Sequence, residues 1–140
     1  SKAIAHQAGA LIIEGSWPSE GERRNTGIQA CTSDWILEVD ADERATESVA
    51  QEVTDLIQSS PDGLYLIPIR NMIGDREVRY GWGAYNGAAS APRLFSKGAK
   101  VWGPERVHPS LQTGTRLGSL RHGLIHLVDK DLADMFDRMN

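Results

Sequence analysis

The chain is short of the residues that mark several common functions. Its 140 residues contain one cysteine, Cys31, which excludes an internal disulfide framework and any CxxC metal site. That cysteine usage suits a reducing compartment, and the expected location is the cytoplasm, with peripheral contact at the inner membrane as the other option. Positive charge is not in excess: the net charge is -4, and the acidic residues are dispersed. A nucleic-acid binder needs a basic face to displace phosphate counterions, so nucleic acid is not an expected partner. No apolar run is long enough for a transmembrane segment, and no signal-peptide h-region follows Lys2. GxGxxG, GxxxxGK, HExxH and GxSxG are all absent.

What is present reads as an α/β front followed by a β-rich, loop-heavy remainder. "SKAIAHQAG" has helical composition, with Gly9 as its C-terminal stop. "ALIIEG" is a short apolar run expected to form a buried strand, and a helix is expected from about Glu20. "DWILEV" is the next strand, which would make a parallel βαβ unit with the first. In "ATESVAQEVTDLIQSS", Val49, Val53, Leu56 and Ile57 share one face of a helix, with Thr46 as its N-cap. "LYLIPI" predicts a strand from Leu64 to Ile69, with Pro68 pushing it toward an edge or a bulge. From Asn71 to Ala91 the chain is rich in glycine and small residues and carries Trp82 and Tyr85. "PRLFSKGAKVWG" predicts two short strands around Lys97-Gly98, and "SLRHGLIHLV" another. A last helix would align Leu132, Met135, Phe136 and Met139.

Chemistry concentrates in "SDWILEVDADER". In an extended segment Asp40 and Asp42 would project to the same side, and two such carboxylates repel unless a cation lies between them. A hard ion, Mg²⁺ or Mn²⁺, takes oxygen ligands from one or two protein carboxylates and the rest from phosphate and water. The alternative is the polar end of a buried strand. Arg23, Arg24 and Asn25 either grip phosphate at a helix start or balance Glu20 and Glu22, and composition favours the latter. Trp82 and Tyr85 on a glycine-rich loop could wall a sugar or plug the core. Arg93 is a phosphate clamp or an edge-strand surface residue. His108 and His126 lack partners at metal-ligand spacing, and His126, between Ile125 and Leu127, reads as a satisfied core histidine.

Taken in order, "GALIIEGSWPSEGERRNTGIQACTSDWILEVDADERAT", "EVTDLIQSSPDGLYLIPIRNMIGDREVRYG", "PRLFSKGAKVWGPERVH" and "GLIHLVDKDLADMFDRMN" resemble the family 2 glycosyltransferases, in the branch similar to lipopolysaccharide-core glucosyltransferases. The resemblance spans nearly the whole chain. It implies one truncated domain over residues 1–140, with an α/β part bearing the DxD site over 1–70 and an acceptor-side part over 71–140. The implied fold is a partial nucleotide-diphospho-sugar transferase fold, Rossmann-like and GT-A in type, lacking its first strands. The implied reaction is metal-dependent transfer of a sugar from a nucleotide-sugar donor to a saccharide or lipid-linked acceptor in cell-envelope glycan synthesis. By position, Asp40 and Asp42 would bind the metal, and Arg24, Asn25, Asp40 and Arg93 the nucleotide diphosphate. Trp82, Tyr85 and His108 would wall the sugar or acceptor.

Two departures accompany the resemblance. The strands that hold base and ribose in the family would precede residue 1, so a homo-oligomer or a complementing chain is the expected partner. The family's aspartate before "RLF" is also absent, which leaves Asn86 and Glu105 as stand-ins for the catalytic base, although an amide cannot accept the proton. Two other readings therefore stand beside sugar transfer. One is a noncatalytic or assembly domain keeping the fold; the other is a different metal-dependent enzyme acting on a phosphorylated nucleotide.

Overall fold

The computed structural model describes residues 2–79, 89–106 and 109–139. Along the chain run α1 (Lys2–Gln7), α2 (Glu20–Ala30), β1 (Trp35–Leu37), β2 (Glu43–Arg44), α3 (Glu47–Ile57), β3 (Leu64–Ile73) and β4 (Arg76–Glu77). They are followed by β5 (Ser90–Ser96), β6 (Lys100–Trp102), β7 (Leu111–Thr113), β8 (Arg116–Ser119), β9 (Leu124–Asp129) and α4 (Leu132–Met139). The backbone divides into two compact units: Ser1–Thr32 with Val101–Gln112, and Ser33–Lys100 with Thr113–Asn140. Helices and a mixed sheet make the chain α/β with a strong β component. Among the described residues no helix is long and apolar enough to cross a membrane.

The first unit is organised by caps and polar cross-links. Helix α1 ends where Gly9 takes φ +78°, with the Gly9 and Ala10 N–H groups returning to His6 and Ala5 carbonyls at 3.0 Å. Ser19 caps α2, its Oγ accepting from the Glu22 N–H at 3.2 Å. The expected strand "ALIIEG" is not formed: residues 10–17 carry no regular structure, and Leu11 is 77% exposed. A strand needs a ladder partner as well as an apolar run. The anticipated βαβ unit therefore does not exist.

The second unit holds the apolar core. Its main sheet runs β1-β5-β3-β9-β2, with β4 and β8 also paired to β3. The β1·β5, β5·β3 and β9·β2 pairs are antiparallel, whereas β3 pairs parallel with both β8 and β9. Helix α3 starts at the Thr46 cap, whose Oγ1 accepts from the Val49 N–H at 3.3 Å. Val49 joins Ile67, Leu94, Leu120 and Leu124 in a buried cluster, with Val53, Leu56 and Ile57 packed against it. Burying such a side chain stabilises the fold by about 1.5–3 kcal/mol.

Strand β3 is central rather than an edge, although it contains Pro68. The Ile69 N–H bonds to the Ala89 carbonyl on the β5 side, and the Leu66 carbonyl accepts from the Leu120 N–H on the opposite side. Alternation turns the Pro68 nitrogen to that opposite side, between the Leu66 partner in the β8 segment and the start of β9. The donor that proline lacks falls where one parallel neighbour ends and the next begins. Strands β5 and β6 flank the Lys97-Gly98 turn as the sequence suggests, but they join different sheets: β6 pairs with β7.

Candidate functional site at the turn after strand β1

The segment after β1 is a turn, not an extended strand. The Glu43 N–H donates to the Asp40 carbonyl at 3.0 Å, closing a four-residue turn over Asp40–Glu43. The side chains at positions i and i+2 therefore need not share a face, and Asp40 and Asp42 take different partners. Strand β9 pins the turn: Glu43 lies opposite His126 in the antiparallel register, and the Leu127 N–H donates to the Asp42 carbonyl at 2.8 Å.

Asp40 belongs to a partly buried charge cluster. Between Tyr65/Leu66 and Leu94/Pro92 the β3·β5 register shifts, which leaves Arg93 as the extra residue of a β-bulge. Its guanidinium reaches Glu38 at 3.1 Å, Glu43 at 2.7 Å and, more closely still, Asp40. The Glu43 carboxylate also accepts the Asp40 N–H at 2.9 Å. Lys100 completes the set, with its Nζ 3.1 Å from Glu38 and donating to the Pro92 carbonyl at 2.8 Å. The side chains of Lys100, Glu43 and Arg93 are 1%, 3% and 11% exposed, so these charges are stabilised chiefly by one another. Burial works against the charged guanidinium, but Asp40 and Glu43 outweigh it and raise the Arg93 pKa further. Arg93 Nε is buried and has no hydrogen-bond partner among the described residues.

Asp42 is the open side of the same turn. Its side chain is 58% exposed, and its Oδ2 stands 3.3 Å from His126 Nε2. The other ring nitrogen, Nδ1, lies 2.8 Å from Oδ1 of Asn71, the residue paired with His126 across the parallel β3·β9 ladder. With the amide oxygen as acceptor, Nδ1 carries the proton, and Nε2 faces the carboxylate either as a donor in the doubly protonated ring or with its lone pair in the neutral one. Two acceptors this close need a proton or a cation between them. His126 is thus not the core histidine that its apolar neighbours suggest. It pairs Asn71 with a carboxylate 84 positions away.

The remaining expected residues separate. Asp40, Asp42 and Arg93 lie together in the second unit, whereas Arg24, Asn25 and Glu105 belong to the first. Asn25 is engaged by the Trp102 backbone at both ends of its amide: Nδ2 donates to the carbonyl at 2.8 Å, and Oδ1 accepts the N–H at 3.0 Å. Arg24 donates to Glu20 at 3.0 Å and stacks over the Trp102 ring at 5.0 Å. Glu105 accepts the Ser110 N–H at 3.0 Å and its hydroxyl at 2.9 Å, and these bonds hold its carboxyl below the ordinary glutamate range. Trp82, Tyr85, Asn86 and His108 lie outside the described residues. Glu38, Lys100, Asn71 and His126 adjoin the turn without having been singled out as functional residues. The sequence signal for His126 was alternation, which puts it on the opposite face of β9 from Ile125 and Leu127.

Among the described residues no group of three or more His, Cys, Asp and Glu is arranged to hold a metal ion. Asp42 and His126 nevertheless form a mixed oxygen–nitrogen pair at a suitable spacing, since two ligands about 2.1 Å from one ion at a right angle stand about 3 Å apart. The second ring nitrogen is held by an amide oxygen, the kind of outer contact that orients a ligating histidine.

No family model matches the chain. Over 64 residues it is 33% identical to a Rickettsia felis protein described as an uncharacterized glycosyltransferase. That stretch is 46% of this chain and 23% of the relative, so the chain spans less than a quarter of the relative's length. The likeness supports a relationship to glycosyltransferases at that coarse level.

Proposed function

We propose that the chain carries part of the donor site of a family 2 glycosyltransferase, of GT-A type and close to the lipopolysaccharide-core glucosyltransferases. It would act in metal-dependent transfer of a sugar from a nucleotide-sugar to a saccharide or lipid-linked acceptor in cell-envelope glycan synthesis. The observation that carries this reading is the Asp42 carboxylate facing His126 Nε2 at 3.3 Å, next to the ordered turn of Asp40. The likeness to a glycosyltransferase supports it. Asp42 and His126 would hold Mg²⁺ or Mn²⁺, leaving the other positions to water and diphosphate oxygens. The ion would neutralise charge on the departing nucleoside diphosphate.

The protein residues have distinct tasks in this reading. Arg93 holds Asp40 and Glu43, and so fixes the turn from which Asp42 projects. The resemblance would assign Asp40 and Arg93 to the diphosphate and Arg24 and Asn25 to the nucleotide, and would give Trp82, Tyr85 and His108 the role of sugar or acceptor wall. The proton of the acceptor hydroxyl needs a base, for which Glu105 and Asn86 were the two positions expected. Glu105 is weakened for that task by the Ser110 hydrogen bonds that lower its pKa. That observation favours a second reading, donor binding without transfer by this chain alone, with the base and the base-binding surface supplied by a second copy or a complementing chain.

Calorimetric titration with nucleotide-sugars, with and without Mn²⁺, tests the proposal. Mn²⁺-dependent binding that disappears in Asp42→Ala is the expected result. Nucleotide-sugar binding that is indifferent to Mn²⁺ and to Asp42 would refute the site. Sugar transfer to an added acceptor separates the first reading from the second.

A further inference from the structure

We infer that Asn71 is a positioning residue for the metal pair: it fixes the tautomer and ring plane of His126, so that Nε2 can act as a ligand beside Asp42. The inference rests on the metal reading proposed above and adds a residue to it. Asn71 is 6% exposed near the C-terminal end of the central strand, and a buried amide at such a place needs a polar reason. Its Oδ1 meets His126 Nδ1 at 2.8 Å, and the two residues are direct neighbours in the β3·β9 register. The backbone around it is also fixed, because the Val78 N–H donates to the Asn71 carbonyl at 2.8 Å.

The consequence is chemical. Free neutral imidazole populates both tautomers, and the one with the proton on Nε2 cannot bind a cation there. An amide oxygen at Nδ1 stabilises the Nδ1–H form and leaves the Nε2 lone pair directed at Asp42. Replacing the amide by an isosteric hydrocarbon would let the ring flip or take the other tautomer. Outer contacts of this kind change metal affinity by about 10–100-fold.

Two measurements on the full chain test this. The first is a nitrogen–proton correlation spectrum of the His126 ring in metal-free protein at alkaline pH. The wild type should show the Nδ1–H tautomer, and Asn71→Leu should shift toward Nε2–H. An Nε2–H ring in the wild type would overturn the inference without any metal being involved.

The second is calorimetric titration with Mn²⁺ alone. Asn71→Leu should bind about 10–100-fold more weakly than wild type, His126→Ala should lose binding, and Asn71→Asp, which keeps an acceptor, should recover most of it. If Asn71→Leu does not fold, Asn71→Ser, too short to reach the ring, takes its place. Wild-type binding through His126 with equal affinity in the Asn71 variant removes only this inference. A wild type that binds no Mn²⁺ removes the metal reading, and this inference with it.

Discussion

The two sides of one short turn treat their carboxylates in opposite ways. On one side Asp40 is drawn into a cluster of Glu38, Glu43, Arg93 and Lys100, in which three acids meet two bases and most of the charge is buried. On the other side Asp42 stands 58% exposed before a histidine whose ring is held from behind. The difference shows that the two carboxylates of the DxD pattern are not equivalent here. One aspartate is engaged in fixing the turn, and the other is open to solvent. Buried ion pairs contribute little net stability over an apolar core, but removing one partner is costly.

The comparison breaks most visibly at Arg93. Arg93→Met strands Glu43, Glu38 and Asp40 beside one lysine, and should destabilise the protein by about 3–5 kcal/mol in denaturant unfolding. A loss below about 1 kcal/mol would mean that the cluster does not hold the turn. Asp40→Asn removes one charge-assisted bond from Arg93 and should cost about 1.5–3 kcal/mol.

A control from elsewhere in the second unit sharpens the scale. Glu52 on α3 accepts the Arg121 and His122 N–H groups at 2.8 and 2.9 Å, and His122 Nδ1 lies 2.8 Å from it. Burial pushes its carboxyl up, but these contacts outweigh burial and hold it below the ordinary glutamate range. A depressed folded-state value means that the contribution is complete above the unfolded-state value and is lost as pH falls through the folded one. Glu52→Gln should therefore lower stability by about 1–2 kcal/mol at neutral pH and flatten the acid limb of the stability profile. An unchanged acid limb would contradict the assignment. The smallest effect is expected at Asp42→Asn, within about 0.5 kcal/mol, because the side chain is largely solvated.

Local signals were legible in the sequence where local physics decides. The Thr46 cap, the Gly9 stop, the helix from Glu20 and the apolar face of α3 all follow from residues within a turn or two of one another. What failed depended on partners. "ALIIEG" has the composition of a buried strand but no ladder, and Pro68 is accommodated by a break between β8 and β9 some fifty residues downstream. The site shows the same division. Asp40, Asp42 and Arg93 could be singled out from their pattern, yet their unlike roles could not, since a turn closed by Glu43 and a β-bulge at Arg93 decide them. His126 and Asn71 are brought within hydrogen-bond reach by strand register, which a single sequence does not display.

In the proposed site Asp42 and His126 hold a divalent cation while Asp40 holds the turn. Titrating Mn²⁺ into wild type, Asp42→Ala, His126→Ala and Asp40→Asn tests it most directly. The account predicts binding by the wild type, loss in the first two variants, and retained though weaker binding in the folded fraction of the third. Loss in Asp40→Asn with binding intact in Asp42→Ala would contradict it.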